Sequence, residues 1–256
     1  MINKKKLRKW GLVLIFFLAV IGIGLQLLKS DFFLKQMEWE KIWVHRTNSR
    51  GILAEVNHTY AGVETDVDFF DSLGKFDINH PPAQSIGLDL YDFLKANNNK
   101  NLKFWLDMKN LRVENDSIEF SKLDSIVNLL GYHPENFIIE SGDPSSTFIF
   151  LQHGYKTSYY LHWPGLYTLG KKELNLKLAS ISKNIKEHPT TYISSPWWDY
   201  QILKENFPDK EKLLWFAVAE LPFSNFVQKH LYRLKVAKDP KVKVILMDVK
   251  TRTPFR

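Results

Sequence analysis

The chain has 256 residues and a formal net charge of +7, from 35 Lys and Arg against 28 Asp and Glu. Residues 1–30 hold six of the basic residues and no acid, so residues 31–256 carry 29 bases and 28 acids. This near-neutral body excludes the broad basic surface of a nucleic-acid-binding protein. The absence of Cys excludes disulfides, a thiolate metal site and a Cys nucleophile.

The N-terminus predicts a membrane anchor. Residues 11–28 are almost entirely apolar or Gly, and as a helix they would span roughly 27 Å, close to the hydrocarbon thickness of a bilayer. The basic residues before this run predict that the N-terminus lies inside and that residues 31–256 lie on the outer side of the membrane. A cleaved signal peptide is the alternative and would give a secreted protein, but the flank lacks a small-x-small cleavage site.

Beyond residue 30, short β-rich runs alternate with helix-compatible stretches. The predicted strands are Ile42–His45, Gly62–Phe69, Leu102–Lys109, Asn136–Ser141, Thr157–Trp163, Thr191–Ser195, Leu213–Ala219 and Val242–Val249. The predicted helices are Leu53–Tyr60, Leu88–Ala96, Ser121–Leu130, Lys172–Glu187, Tyr200–Glu205 and Phe223–Leu234. This alternation predicts one α/β domain over residues 31–256, a TIM-type (β/α)8 barrel. Periodicity leaves an open doubly wound sheet as the alternative, although no Gly-rich dinucleotide loop follows a strand.

Polar residues gather near the ends of the early strands. Glu64 and Asp66 lie two residues apart on the second predicted strand, so their side chains point to the same side, and the same holds for Asp107 and Lys109 on the third. In a parallel barrel, residues near the C-terminal strand ends converge on one mouth. Converging carboxylates repel one another, and a hard divalent cation, Mg²⁺ or Ca²⁺, would remove that conflict.

Two His residues complete the predicted site. His45 ends the first strand and His80 follows the second. Imidazole titrates near neutral pH, which suits a general acid or base, and Lys109 offers a positive charge to a phosphate. Together these groups predict phosphodiester cleavage. Each group alone also has an ordinary explanation, because an acid pair can be a solvated strand face, His-Pro-Pro a turn and Asp-x-Lys a surface ion pair.

Four motifs resemble the phosphatidylinositol-phospholipase-C-like phosphodiesterase superfamily. They are Val44-His45-Arg46-Thr47-Asn48, Gly62-Val63-Glu64-Thr65-Asp66-Val67, Asn79-His80-Pro81-Pro82 and Leu106-Asp107-Met108-Lys109. The second is similar to the G-x-E-x-D-V strand that glycerophosphodiester phosphodiesterases, sphingomyelinase D toxins and menorin proteins share. The first resembles the H-x-x-N start of the menorin and sphingomyelinase D groups. The third and fourth are most similar to the menorin His-Pro-Pro and Leu-Asp-Phe-Lys, where glycerophosphodiesterases carry His-Asp and Glu-x-Lys.

The resemblance implies a TIM-type barrel in which Glu64, Asp66 and Asp107 are the Mg²⁺ or Ca²⁺ ligands. It also implies that His45 and His80 are the acid and base and that Lys109 contacts the substrate phosphate. The motifs cover only residues 43–109. The short stretch after His80 leaves no room for the insertion domain of typical glycerophosphodiesterases, and the Cys-bridged loop of the toxins cannot form.

Further residues are secondary candidates. Arg46 and Asn48 are candidates for phosphate or substrate binding. The alternatives are that Arg46 is simply an exposed loop residue and that Asn48 orients His45. The possible pocket residues are Glu140, His162, Trp215 and Asp248, which lie on or at the ends of later predicted strands. Core packing is the alternative for the aromatic members of this group.

Two functions from different classes stay open. The first is a membrane-anchored, metal-dependent phosphodiesterase that acts on a glycerophosphodiester or a phospholipid head group. The second is a non-catalytic, menorin-like binding or interaction protein that keeps the barrel pocket. A glycosidase that uses Glu64 and Asp66 is disfavoured, because residues two apart on one strand do not flank a scissile bond from opposite faces.

Overall fold

The computed structural model describes residues 4–29, 39–161, 164–216, 232, 234–249 and 251–253. Its strands are β1 (Ile42–Val44), β2 (Gly62–Phe70), β3 (Lys75–Ile78), β4 (Lys103–Met108), β5 (Phe137–Ser141), β6 (Lys156–Tyr160), β7 (Tyr192–Pro196), β8 (Glu211–Trp215) and β9 (Val242–Met247). Its helices are α1 (Lys4–Lys29), α2 (Arg50–Val56), α3 (Leu90–Lys95), α4 (Asp116–Leu129), α5 (Phe148–Gln152), α6 (Lys171–Glu187) and α7 (Tyr200–Asn206). Short 3₁₀ helices cover Trp39–Lys41, Pro134–Asn136, Pro144–Thr147, Leu166–Thr168 and Trp197–Asp199.

Strands β1, β2 and β4 to β9 form a closed parallel barrel. Consecutive strands of this set pair in parallel, and β1 closes the circle because it pairs with both β2 and β9. Val44 in β1 lies opposite Val63 on one side and Met247 on the other. The prediction of a TIM-type (β/α)8 barrel is therefore confirmed, and the open-sheet alternative is wrong.

The additional strand, β3, pairs antiparallel with the end of β2. Val67 lies opposite Ile78, and Asp68 lies opposite Asp77. Because β2 pairs with β4 only as far as Val67, this hairpin continues past the barrel rim. The chain then returns toward the barrel, where the Asn79 backbone N–H donates to the Asp66 carbonyl oxygen at 3.2 Å. The hairpin thereby brings the next residue along the chain, His80, back to the mouth.

The predicted strands match the observed barrel strands within a few residues at most ends. The clearest shift is in β8, which begins two residues before the predicted Leu213–Ala219 and ends at Trp215. The predicted helix Phe223–Leu234 falls almost entirely outside the described residues. Neither β3 nor α5 has a counterpart among the predicted elements, because four or five residues are too few for a pattern to identify an element.

A packed apolar layer fills the lower part of the barrel interior. It consists of Trp43, Trp105, Ile138, Leu213, Val244 and Leu246, all buried. Gly62 is required at the edge of this layer, since a Cβ there would lie 2.3 Å from the Trp43 ring. Two larger clusters occupy the space between the barrel and its surrounding helices. A ligand can therefore enter the barrel from the mouth and meets a closed floor.

Helix α1 contains the run that predicts a membrane anchor. Within the described part of the chain, no helix is both long enough and apolar enough to cross a bilayer. The expected anchor therefore has no support from the structure. The expected placement of residues 31–256 on the outer side of a membrane stays a prediction.

Candidate active site

A cavity of about 450 Å³ opens at the C-terminal ends of the barrel strands. Its walls include most of the residues singled out from the sequence, namely His45, Arg46, Glu64, Asp66, His80, Asp107, Lys109, Glu140 and Trp215. Trp105, Tyr160 and Leu246 complete the lining. The volume lies in the range typical of small-molecule sites.

Three carboxyl groups converge in this cavity, and we call Glu64, Asp66 and Asp107 the acidic trio. One carboxylate oxygen from each lies within 4.8 Å of the other two. Asp66 and Asp107 are opposite each other in the register of β2 and β4, and Glu64 lies two residues earlier on β2. Glu64 and Asp66 are only 3% and 2% exposed. The structure thus brings together the side chains that the strand period places on one side.

Glu64 has the most strongly raised pKa of the trio. Burial raises its pKa well above the ordinary value, and the negative charges of Asp66 and Asp107 raise it further. The Arg46 backbone N–H donates to Glu64 Oε2 at 2.6 Å and partly offsets this effect. Arg46 has a φ of +53°, a conformation that non-Gly residues adopt rarely. The strained turn after β1 therefore presents a backbone donor to a buried carboxylate.

Asp66 is the best compensated member. Asn48 Nδ2 donates to its Oδ2 at 2.6 Å, and Lys109 Nζ lies 2.6 Å from its Oδ1. Burial alone would raise the pKa of Asp66, but Lys109, His80 and Asn48 together hold it below its usual value. Lys109 also pairs with Asp107, where burial still outweighs the pairing and raises the pKa of the carboxyl. The acidic trio in turn raises the pKa of Lys109, which keeps it cationic.

The two histidines lie beside the acidic trio. His45 Nδ1 is 2.8 Å from Asp248 Oδ1, and His45 Nε2 is 4.0 Å from Glu64 Oε2. A carboxylate at Nδ1 fixes the ring and leaves Nε2 to face the cavity. His80 enters from the segment after β3 and lies close enough for its charge to act on Asp66.

The remaining predicted site residues divide by position. Arg46, Glu140 and Trp215 line the cavity. Asn48 contacts the site through Asp66 and lines a neighbouring cavity of about 310 Å³ that also contains His80. Asp248 contacts the site through His45. His162 lies outside the described residues.

Three lining residues were missed in the sequence, and the two-residue strand period identifies two of them. Trp105 lies two residues before Asp107, and Leu246 lies two residues before Asp248. Tyr160 ends β6. Residues two apart on a strand share a side, so each predicted pocket residue implies a second, deeper one.

The donor set of the acidic trio fits a hard divalent cation. It offers only carboxylate oxygens, which Mg²⁺ and Ca²⁺ prefer, and no thiolate or imidazole that would favour Zn²⁺. Lys109 forms ion pairs with two of the three carboxyls, those of Asp66 and Asp107. The site therefore accommodates further positive charge.

Two solved structures show the same fold. A glycerophosphodiester phosphodiesterase from Parabacteroides distasonis has a TM-score of 0.56 and 14% identity, over 81% of this chain and 92% of that chain. A phosphodiesterase from Oleispira antarctica, solved in complex with the product sn-glycerol-3-phosphate, has a TM-score of 0.53 and 9% identity, over 80% and 92%. No protein-family model and no curated protein matches the chain. The similarity lies in the fold, and the nearer resemblance to menorin and sphingomyelinase D stays a prediction.

Proposed function

We propose that this chain is a metal-dependent phosphodiesterase that cleaves a glycerophosphodiester or a phospholipid head group, with His45 and His80 as the acid and base. The observation that carries the proposal is the acidic trio, whose oxygens lie within 4.8 Å of one another in the cavity that also holds Lys109 and both histidines. The shared fold with phosphodiesterases, one of them bound to sn-glycerol-3-phosphate, supports the same substrate class.

The acidic trio would hold Mg²⁺ or Ca²⁺. When bound, such a cation supplies positive charge to the phosphate oxygens and polarises them as a Lewis acid. Lys109 lies against two of the three acids, so a phosphate beside the trio also meets a fixed ammonium group. Arg46 lines the same cavity and adds a second cation to it.

The histidines would move the protons. One imidazole takes a proton from an adjacent substrate hydroxyl or from water, and the other gives a proton to the leaving oxygen. Attack by the substrate hydroxyl yields a cyclic phosphate, whereas attack by water yields a phosphomonoester. Asp248 keeps the His45 ring in place at 2.8 Å, which leaves Nε2 available for the transfer.

The test is hydrolysis of a glycerophosphodiester by the purified protein with Mg²⁺, with Ca²⁺ and with a chelator. We expect activity to require a divalent cation and to fall by about 10³-fold or more in Glu64→Ala and His45→Ala. Glu114→Ala and His133→Ala serve as matched controls, because both residues are exposed and should retain full activity. Full hydrolysis by Glu64→Ala, or activity that the chelator does not affect, contradicts the proposal.

A non-catalytic binding protein is the second candidate, and one observation favours it. Lys109 pairs with both Asp66 and Asp107, so an internal cation already neutralises part of the acidic trio. Thermal denaturation across a metal titration separates the two candidates. An unchanged melting temperature in Mg²⁺ and Ca²⁺, without hydrolysis of any diester, favours a metal-free binding pocket.

A further inference from the structure

The segment that follows β9 carries Asp248, and few contacts hold its carboxylate beside His45. The pairing of β1 with β9 ends at Val44 and Met247, so Asp248 is the first residue beyond the ladder. In the described part of the chain, His45 is the only hydrogen-bond partner of the Asp248 carboxylate, and the Asp248 side chain is 36% exposed. The position of this carboxylate therefore depends on where the following backbone runs.

Glu55 on α2 binds that backbone a few residues further along. Its Oε2 accepts the Arg252 N–H at 2.8 Å, and its Oε1 accepts the Thr253 N–H at 3.0 Å and the Thr253 hydroxyl at 2.8 Å. We call Glu55, Arg252 and Thr253 the clasp. The Arg252 and Thr253 N–H groups lower the pKa of Glu55, which keeps it ionised, and hydrogen bonds to an ionised acceptor are about twice as strong as neutral ones. One carboxylate thus holds two successive amide groups.

Gly51 allows the clasp to lie close against α2. It is four residues before Glu55 and therefore on the same face of the helix. A Cβ at this position would lie 2.7 Å from Thr253 Oγ1 and 3.3 Å from Thr253 Cβ. Glycine disfavours a helix, and the close approach of Thr253 gives a reason for its presence in the first turn.

Helix α2 is itself fixed relative to the candidate active site. It begins two residues after Asn48, whose side chain donates to Asp66 Oδ2 at 2.6 Å. The helix packs three buried residues into one of the two larger apolar clusters, namely Ile52, Leu53 and Val56. The clasp therefore ties the segment that carries Asp248 to a helix with a fixed position.

We propose that Glu55 is a positioning residue, which holds the segment after β9 so that the Asp248 carboxylate stays against His45 Nδ1. This inference rests on the proposed phosphodiesterase function, in which His45 moves a proton. A carboxylate at Nδ1 selects the tautomer in which that nitrogen carries the proton and Nε2 is free to accept one. Among the described residues, Glu55 makes no hydrogen bond or ion pair with the cavity lining, so its effect acts through Asp248.

Steady-state hydrolysis measures the effect of the clasp on kcat and KM. Glu55→Ala should lower kcat by about tenfold and leave KM unchanged, because a misplaced catalytic group slows the chemical step. The loss should vanish when Asp248→Ala is already present, since two residues that act through one contact are not additive. Glu205→Ala is the matched control, because Glu205 is an exposed helix residue that accepts a hydrogen bond from Gln201, and it should keep full activity. An equal loss with and without Asp248 would overturn the inference.

Gly51→Ala separates positioning from general stabilisation. Ala favours the helix but displaces Thr253 from Glu55, so kcat should fall by about tenfold, as in Glu55→Ala. Gly170→Ala is the control at the start of another helix, since a Cβ there would meet no other described part of the chain within 4 Å, and its kcat should stay unchanged. A wild-type kcat in Gly51→Ala would contradict the positioning role.

Nitrogen NMR of the His45 ring tests the inference without any turnover. At a pH of about 8.5, where imidazole is neutral, the spectra report which ring nitrogen carries the proton. Glu55→Ala should shift His45 toward the Nε2–H form, as Asp248→Ala does, and Glu205→Ala should not. An unchanged His45 signal in Glu55→Ala would refute the inference even if the protein hydrolyses diesters. A shifted signal in a protein that hydrolyses no diester would instead support the positioning role and contradict the proposed function.

Discussion

Asn48 contacts Asp66 at two points, through a side-chain donor and a side-chain acceptor. Its Nδ2 donates to Asp66 Oδ2 at 2.6 Å, and its Oδ1 accepts the Asp66 backbone N–H at 3.0 Å. Both residues are buried. Asn48 therefore fixes the position of one carboxylate of the acidic trio and also orients its strand.

Asn48→Ala should weaken metal binding and lower the stability of the fold. The substitution leaves a buried carboxylate without its donor, which costs about 1–3 kcal/mol. Loss of an outer partner of a metal ligand typically lowers metal affinity by about 10–100-fold. Metal titration by calorimetry measures the affinity, and urea denaturation in the presence of a chelator measures the stability.

Asn110→Ala is a matched control for this variant. Asn110 also bridges to the backbone of β2, where its Oδ1 accepts the Phe69 N–H at 2.9 Å and its Nδ2 donates to the Phe69 carbonyl at 2.7 Å. Its removal should destabilise the fold with little change in metal affinity. Equal losses of metal affinity in the two variants would show that Asn48 has no specific effect on the site.

The alternation of strands and helices and the acidic trio could be predicted from the sequence because both follow from local rules, whereas periodicity alone left the closed barrel and the open sheet as alternatives. A two-residue period places Glu64 with Asp66 and Asp107 with Lys109, and the parallel closure then brings the two strands together. The β3 hairpin follows no such rule, since Lys75–Ile78 is short and becomes a strand only by pairing with β2.

Contacts between strands that are distant in the chain could not be predicted from the sequence. His45 and Asp248 are 203 residues apart, and each was identified without any indication that the two form a pair. Ser158 and Ser194 carry no motif, and only the register of β5, β6 and β7 places them near Glu140. Cross-strand register depends on how the whole barrel closes, so it cannot be derived from any single segment.

Asp248→Ala should lower kcat much more than it changes KM. The carboxylate at 2.8 Å from His45 Nδ1 fixes the ring and its tautomer, so its loss should reduce kcat by about 10²–10³-fold. Steady-state kinetics measure both constants. The control is Asp92→Ala, which removes an exposed acid that pairs with Arg50 at 3.0 Å and should match the wild type. A large change of KM alone in Asp248→Ala would argue against a role of Asp248 in positioning His45.

Lys109→Met should make the stability of the protein depend more strongly on a divalent cation. Without the ammonium group, Asp66 and Asp107 lose their partner, and breaking such a buried pair costs about 3 kcal/mol. Mg²⁺ should restore much of that loss because it replaces the missing charge. Denaturation with a chelator and with Mg²⁺ measures the difference. The matched control is Lys204→Met, which breaks the pair of Lys204 with Asp239 at 2.9 Å. The stability of this variant should show no added response to Mg²⁺. An equal gain of stability with Mg²⁺ in both variants would contradict the prediction.

Glu119→Gln should stabilise the protein near neutral pH and leave it unchanged in acid. Glu119 is fully buried on α4, and neither carboxyl oxygen has a hydrogen-bond partner in the described residues. Burial and the nearby charges of Asp71 and Asp68 raise its pKa from 4.5 to about 8. Below pH 4.5 the folded and unfolded states both hold the proton, so this carboxyl has no effect on stability there.

Between pH 4.5 and about 8 the unfolded chain releases the Glu119 proton while the folded protein keeps it, so the free energy of unfolding falls as the pH rises. Gln removes this loss, and at pH 7.5 the gain should be on the order of 2 kcal/mol. Urea denaturation at pH 4 and pH 7.5 measures the difference between the variant and the wild type. Glu114→Gln, at an exposed position of the preceding loop, should follow the wild type at both pH values. A Glu119→Gln curve parallel to that of the wild type would show that the buried carboxyl does not titrate on unfolding.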